Sequence, residues 1–173
     1  MQIVTFGGVT IGLLLLLWAL IQWWPGLKPL RKDPAGSAAA LLPFLFAWAY
    51  GVLAILTVGG LVGLLADGAL WISNWLGDAA LVWGVGGELG QRGPTVAYLP
   101  LTQAGTAFVL LLTVVIIAVA KRPKTPDVVK ANLKRGTWCG ICLGTSAGVA
   151  GFAAVPLAQA VNWAGGALYG LAA

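Results

Sequence analysis

Cys139 and Cys142, separated by two residues, are the two thiols of a 173-residue chain that has no histidine. Thiols at this spacing can exchange disulfides or hold a soft metal ion. Lys134 and Arg135 lie just upstream and would favour a thiolate. A zinc site asks for four ligands, so two thiols without histidine leave it incomplete within one chain. Without histidine there is no imidazole base, and five acidic residues in the whole chain give little material for paired-carboxylate catalysis. The expected inventory is therefore no catalytic residue, no cofactor and no metal.

The segment Trp138-Cys139-Gly140-Ile141-Cys142 resembles the Trp-Cys-Gly-Pro-Cys active-site segment of thioredoxins over five residues. Ile141 departs from that pattern at the proline. The resemblance implies dithiol exchange by Cys139 and Cys142. The surroundings argue against it, because the strand–helix–strand context of a redox motif is missing and a membrane helix begins here instead. On a cytoplasmic side both thiols would stay reduced. Small apolar packing is the favoured role.

Two further spacings fall short of a known chemistry. The loop Gly84-Val-Gly-Gly-Glu-Leu-Gly places Leu89 where a dinucleotide fingerprint needs its third glycine, and no strand precedes it. It is expected to be a flexible turn, ended by Gly93-Pro94. The basic cluster Lys121, Arg122, Lys124, Lys130, Lys134 and Arg135 could meet lipid headgroups, an acidic partner protein or nucleic acid. Topology and anionic lipid are the favoured explanation.

The elements that would carry these groups are read from composition. The chain is 60% hydrophobic and 9% charged, whereas soluble domains carry roughly 25% charge. Its wealth of Ala, Gly, Leu and Trp fits a GC-rich bacterial source. Four runs are long enough to cross roughly 30 Å of hydrocarbon as helices. They are about 3–24, 37–66, 101–120 and 137–158. The third is rich in β-branched residues, but a lone strand in lipid leaves its backbone unpaired, so helix is expected. Basic residues follow the first run rather than precede it, which predicts an uncleaved anchor. The predicted fold is thus an all-α integral membrane protein: one domain, four transmembrane helices as two hairpins.

Nine of the ten basic residues sit in two loops, 25–36 and 121–136. The positive-inside rule puts both loops in the cytoplasm, leaving the outer loop 67–100 and both termini outside a cell (plasma) membrane. The apolar stretch 68–87 tempts a fifth span, but one more crossing would separate the basic loops and sink Asp78 in lipid, at about 2.5–3.5 kcal/mol. An amphipathic interfacial helix is expected there. Ile72, Trp75, Leu76, Ala79, Val82 and Trp83 would face lipid, with Ser73, Asn74, Gly77 and Asp78 largely between them. The competing reading simply extends the second helix. Trp23, Trp24 and Trp138 fall at the inner boundary, and Trp71, Trp75, Trp83 and Trp163 at the outer one. Trp18 and Trp48 are expected in the core.

In the second basic loop, Thr125 is expected to cap a short helix on the inner leaflet, with Pro126 and Asp127 in its first turn. Pro43 and Pro156 are expected to bend their helices. Asn74-Trp-Leu-Gly-Asp-Ala and Asn162-Trp-Ala-Gly-Gly-Ala, 88 residues apart, raise an internal repeat against chance likeness. Gly140, Gly144, Gly148 and Gly151 form a small-residue stripe, with shorter versions at Gly8/Gly12 and Gly59/Gly63. Such stripes let backbones approach closely, either within the monomer or between copies. Contact between copies is favoured, since one chain has few partners for three such faces.

The whole is similar to small polytopic membrane proteins of actinobacterial conjugative elements and phages, such as Spd-type spread proteins or holins. A holin fits less well, because the apolar C-terminus is expected outside. No ionisable side chain falls inside a span, which counts against an ion-coupled carrier. The reading is a non-enzymatic homo-oligomeric subunit, a pore or scaffold of a larger assembly such as transfer or secretion machinery. Its alternatives are an accessory subunit of a hetero-oligomeric membrane enzyme or transporter, and a holin-like phage protein.

Overall fold

A computed structural model describes residues 4–23, 41–93, 101–146 and 149–172. Its named elements are six helices, in the order α1 (Phe6–Trp23), α2 (Leu42–Leu56), α3 (Gly60–Val85), α4 (Gln103–Lys121), α5 (Asp127–Gly144) and α6 (Val149–Ala172). Helices α1 and α4 are each long and apolar enough to cross a membrane, and α2 with α3 would give a third if that bent pair is one span. Helix formation follows from the continuous apolar runs: in an apolar medium each N–H and C=O must bond within its own segment.

The expected second run, 37–66, is broken. After Leu56 the chain turns by 104° and restarts at Gly60. Gly59 and Gly60 have φ of 79° and 70°, left-handed values that favour glycine. The freed end is sealed locally, as the Thr57 amide and hydroxyl both donate to the Ala54 carbonyl. Residues 68–85 of the tempting stretch therefore belong to a longer helix that starts at Gly60. The fourth run is broken too. Residues 127–136 are not a separate surface helix but the first half of α5, which ends at Gly144 before α6 begins. Pro43 sits in the first turn of α2, where a missing N–H costs nothing, and Pro156 lies inside α6.

Helix α3 keeps the expected division into two faces, with Ile72, Trp75, Leu76 and Trp83 turned outward. Gly63, Ala66, Leu70, Ser73, Asn74, Gly77 and Asp78 form its buried stripe, while Trp71, Trp75 and Trp83 are exposed. The polar side of this helix faces protein and the apolar side faces out. Trp18, expected in the core, is 53% exposed.

The six helices form two like halves, α1–α3 and α4–α6. Helices α1 and α3 pack together, as do α4 and α6, and the halves join along α2 and α5. The central crossing pairs residues that stand 89 apart in sequence: Gly51 lies against the Thr137 carbonyl and Gly140, and Gly140 lies against the Trp48 carbonyl and Gly51. Ser146 repeats what Thr57 does, its amide and hydroxyl both donating to the Leu143 carbonyl. Tyr50, Leu53, Leu70, Val109, Ile141 and Val161 fill the adjoining core.

Candidate helix-packing centre and basic face

The glycines of the predicted stripe divide by position. A side chain on Gly140 would overlap the Trp48 carbonyl, and one on Gly136 the Phe44 carbonyl. Gly144 rests on Val52 and Ile55. Gly136, Gly140 and Gly144 thus let α5 lie directly on α2 within one chain. Gly148 is outside the described residues, and Gly151 falls on α6 in a stretch whose side chains are undescribed. Of the shorter pairs, Gly8/Gly12 is internal, with Gly8 abutting the Asn74 amide group and Gly12 abutting Leu143 and Cys142, whereas Gly63 meets only the nearby Thr57 and Gly59 faces open space.

The repeat seen in the sequence marks equivalent devices. The first amides of a helix have no partner within it and, away from water, need one from elsewhere. At α1, Asn74 Oδ1 accepts from the Thr5 amide at 3.1 Å, and Thr5 Oγ1 accepts from the Gly8 amide at 3.2 Å. At α4, Asn162 Oδ1 accepts from the Thr102 amide at 2.8 Å, and Thr102 Oγ1 accepts from the Gly105 amide at 3.1 Å. Three residues beyond each asparagine, Gly77 touches the Gly7 carbonyl and Gly165 the Ala104 carbonyl. One position departs from the pattern. Asp78 accepts from the Gly7 amide at 3.2 Å, whereas its counterpart Gly166 faces open space. Asn74 and Asp78, each 8% exposed, are packed inside rather than turned to water.

The two cysteines face different neighbours in the packed centre. Both are fully buried and free, and the Cys139 thiol lies 3.3 Å from the Gly12 carbonyl as a donor. On one helix three residues apart, they occupy the seam between α1 and α5. The adjacent Trp138 reaches α3, its indole N–H donating to Ser73 Oγ at 2.7 Å. A thiol closed off in this way meets neither an oxidant nor a disulfide substrate without unfolding. In native protein, Cys139 and Cys142 should resist a bulky maleimide, and Cys139→Ser/Cys142→Ser should fold and assemble as wild type. Rapid labelling of native protein would reopen the dithiol role. Among the described residues, no group of three or more His, Cys, Asp or Glu could hold a metal.

The basic cluster 121–135 runs from the last residue of α4 into the first half of α5. Arg135 donates to the Gln22 side chain and stands 6.0 Å above the Trp18 ring. Lys130, half-buried, pairs with the fully exposed Asp127 at 3.6 Å, a contact open to water and worth little in stability. Lys121, Arg122, Lys124 and Lys134 are exposed. Thr125 does not cap α5: its hydroxyl donates at 2.8 Å to the Val119 carbonyl, closing the end of α4. At the opposite end of α5, Thr145 Oγ1 is buried without a hydrogen-bond partner among the described groups.

Sequence reasoning missed the caps because Asn74, Asp78 and Asn162 each look like a water-facing residue of an amphipathic helix. The signal available was the repeat itself, since both copies keep the asparagine and the glycine three residues on. The chain matches no known protein-family model, no curated protein and no solved structure.

Proposed function

We propose that the chain is a non-enzymatic, self-associating membrane subunit, a pore or scaffold of a larger assembly. Four spans, α1, α2, α4 and α5, would cross a cell membrane with both termini outside. Helices α3 and α6 would then fold back across the outer side. The observation that carries this reading is the inverted amphipathicity of α3, polar side in and tryptophan side out. That arrangement is favourable only where the outer solvent is apolar or interfacial. The sharp turn after Leu56 also supports an interfacial α3, because it directs the helix across α2 rather than onward along it.

Self-association would use the outer faces of α1 and α4. Only 11% of the apolar window of α4 and 22% of that of α1 is buried by the chain itself. Much of that surface is open to lipid or to other copies. The described polar groups serve helix starts and seams, a pattern that fits a structural part better than a reacting centre.

Two measurements test the reading. Thiol labelling from each side of sealed vesicles should reach Lys124→Cys from the cytoplasmic side and Glu88→Cys from the outside. Both labelled from one side would remove the four-span topology. Native mass spectrometry from mild detergent should give a defined multiple of one chain. A lone monomer would overturn self-association, and a fixed ratio with an unlike chain would favour the accessory-subunit alternative.

A further inference from the structure

The two halves differ in one seam, and the difference leaves a groove. Seven residues after its capping threonine, α1 has Gly12 and α4 has Val109. Gly12 lets α1 lie against Cys142 and Leu143 of α5. In the other half Val109 is fully buried, and Tyr50 of α2 takes the place of the small Cys139. Tyr50 Oη and Thr113 Oγ1 meet at 2.9 Å, bridging α2 to α4 with a long side chain. Helix α1 accordingly packs far more closely along α5 than α4 does along α2.

Beyond that bridge, between α2, α4 and the start of α5, lies an open groove of about 610 Å³. Its lining includes Phe46, Val115, Ile116, Val119, Val129 and Leu133, and is apolar throughout. Charge stands next to its lining in the chain. Lys121 and Arg122 follow Val119 by two and three residues, and Lys130 follows Val129. Among the described residues, Asp127 is the acidic one beside these cations, and it pairs with Lys130.

We infer that this groove binds one acyl chain of an anionic phospholipid, with the phosphate held by Lys121, Arg122 and Lys130. An apolar slot alone would accept any lipid tail. Charge at its mouth adds selection for a negative headgroup, at the depth where the positive-inside rule puts the inner leaflet. The volume is in the range of small-ligand sites. The inference rests on the membrane reading above.

The test compares phosphatidylglycerol with phosphatidylcholine of the same acyl chains, by native mass spectrometry of protein reconstituted in nanodiscs and released. Wild type should retain phosphatidylglycerol by about tenfold or more over phosphatidylcholine, given three cations near the headgroup. Lys121→Gln/Arg122→Gln/Lys130→Gln should bring the two lipids level while leaving the fold intact, since these side chains are on the surface. Ile116→Trp should fill the groove and lower retention of both, whereas Leu17→Trp on the exposed face of α1 should change neither. Equal retention by wild type, or undiminished retention by Ile116→Trp, would overturn the groove. So would a Val115→Cys disulfide between copies in the membrane, which would put a second chain there. A chain that does not enter the bilayer at all would instead count against the membrane reading.

Discussion

Gly140→Leu should prevent α2 and α5 from meeting, and the folded monomer should be lost. A side chain at this position would run into the Trp48 carbonyl and stand against Val52 and Gly51, all backbone of a helix that has no room to retreat. Even Gly140→Ala should cost about 2–3 kcal/mol, the range for overpacking a well-filled interior. Gly51→Leu should be as damaging, because Gly51 meets the Thr137 carbonyl in the same way from the other side. Gly166→Ala and Gly170→Ala face open space and should be close to neutral. The measurement is the loss of folded signal as a denaturing detergent is titrated against a mild one. It separates two roles of one glycine. If Gly140 served only contacts between copies, Gly140→Leu would leave a stable monomer that no longer associates. A wild-type midpoint for Gly140→Leu would refute the central crossing.

This separation also explains what the sequence could tell. Helices α1 and α4 were legible because each is an unbroken apolar run with its charges beyond the end. The all-helical class followed from the same runs. The breaks were harder. Gly59-Gly60 can end a helix, but glycine is common in membrane helices, so hydropathy carries straight across it. Helix α5 was hidden for the opposite reason. Its first half holds Lys130, Lys134 and Arg135 and reads as a separate short helix of a basic loop, although nothing between Asp127 and Gly144 stops a helix. The glycine stripe was visible, but spacing alone cannot say which neighbour it faces. Gly51 supplies that answer, and it lies in a different run, 89 residues from its partner. The Asn74 side of α3 was read only as the positions between the lipid-facing ones, and a polar side chain there does not say that its partner is the start of another helix.

The caps give the second large effect, and they test the likeness of the halves at single amides. Asn162→Ala should free the Thr102 amide and the Thr102 hydroxyl, which both donate to Asn162 Oδ1. Loss of an asparagine cap typically costs about 1 kcal/mol. Asn74→Ala should act in the same way at Thr5. The two effects should differ in extent. Asp78 still accepts from the Gly7 amide in the first half, so α1 keeps part of its support when Asn74 is lost. Gly166 offers no such acceptor to α4. Asp78→Asn retains an acceptor oxygen and should be mild, whereas Asp78→Ala should release Gly7. Amide exchange reads each case directly. Asn74→Ala should quicken Thr5 and leave Thr102 as it was, Asn162→Ala should do the reverse, and Asp78→Ala should quicken Gly7. The Asn74 and Asn162 variants act on the starts of different helices, so their costs should add in the double mutant. Exchange that rises evenly across both halves would mean that the asparagines support the fold generally rather than capping two equivalent helix starts.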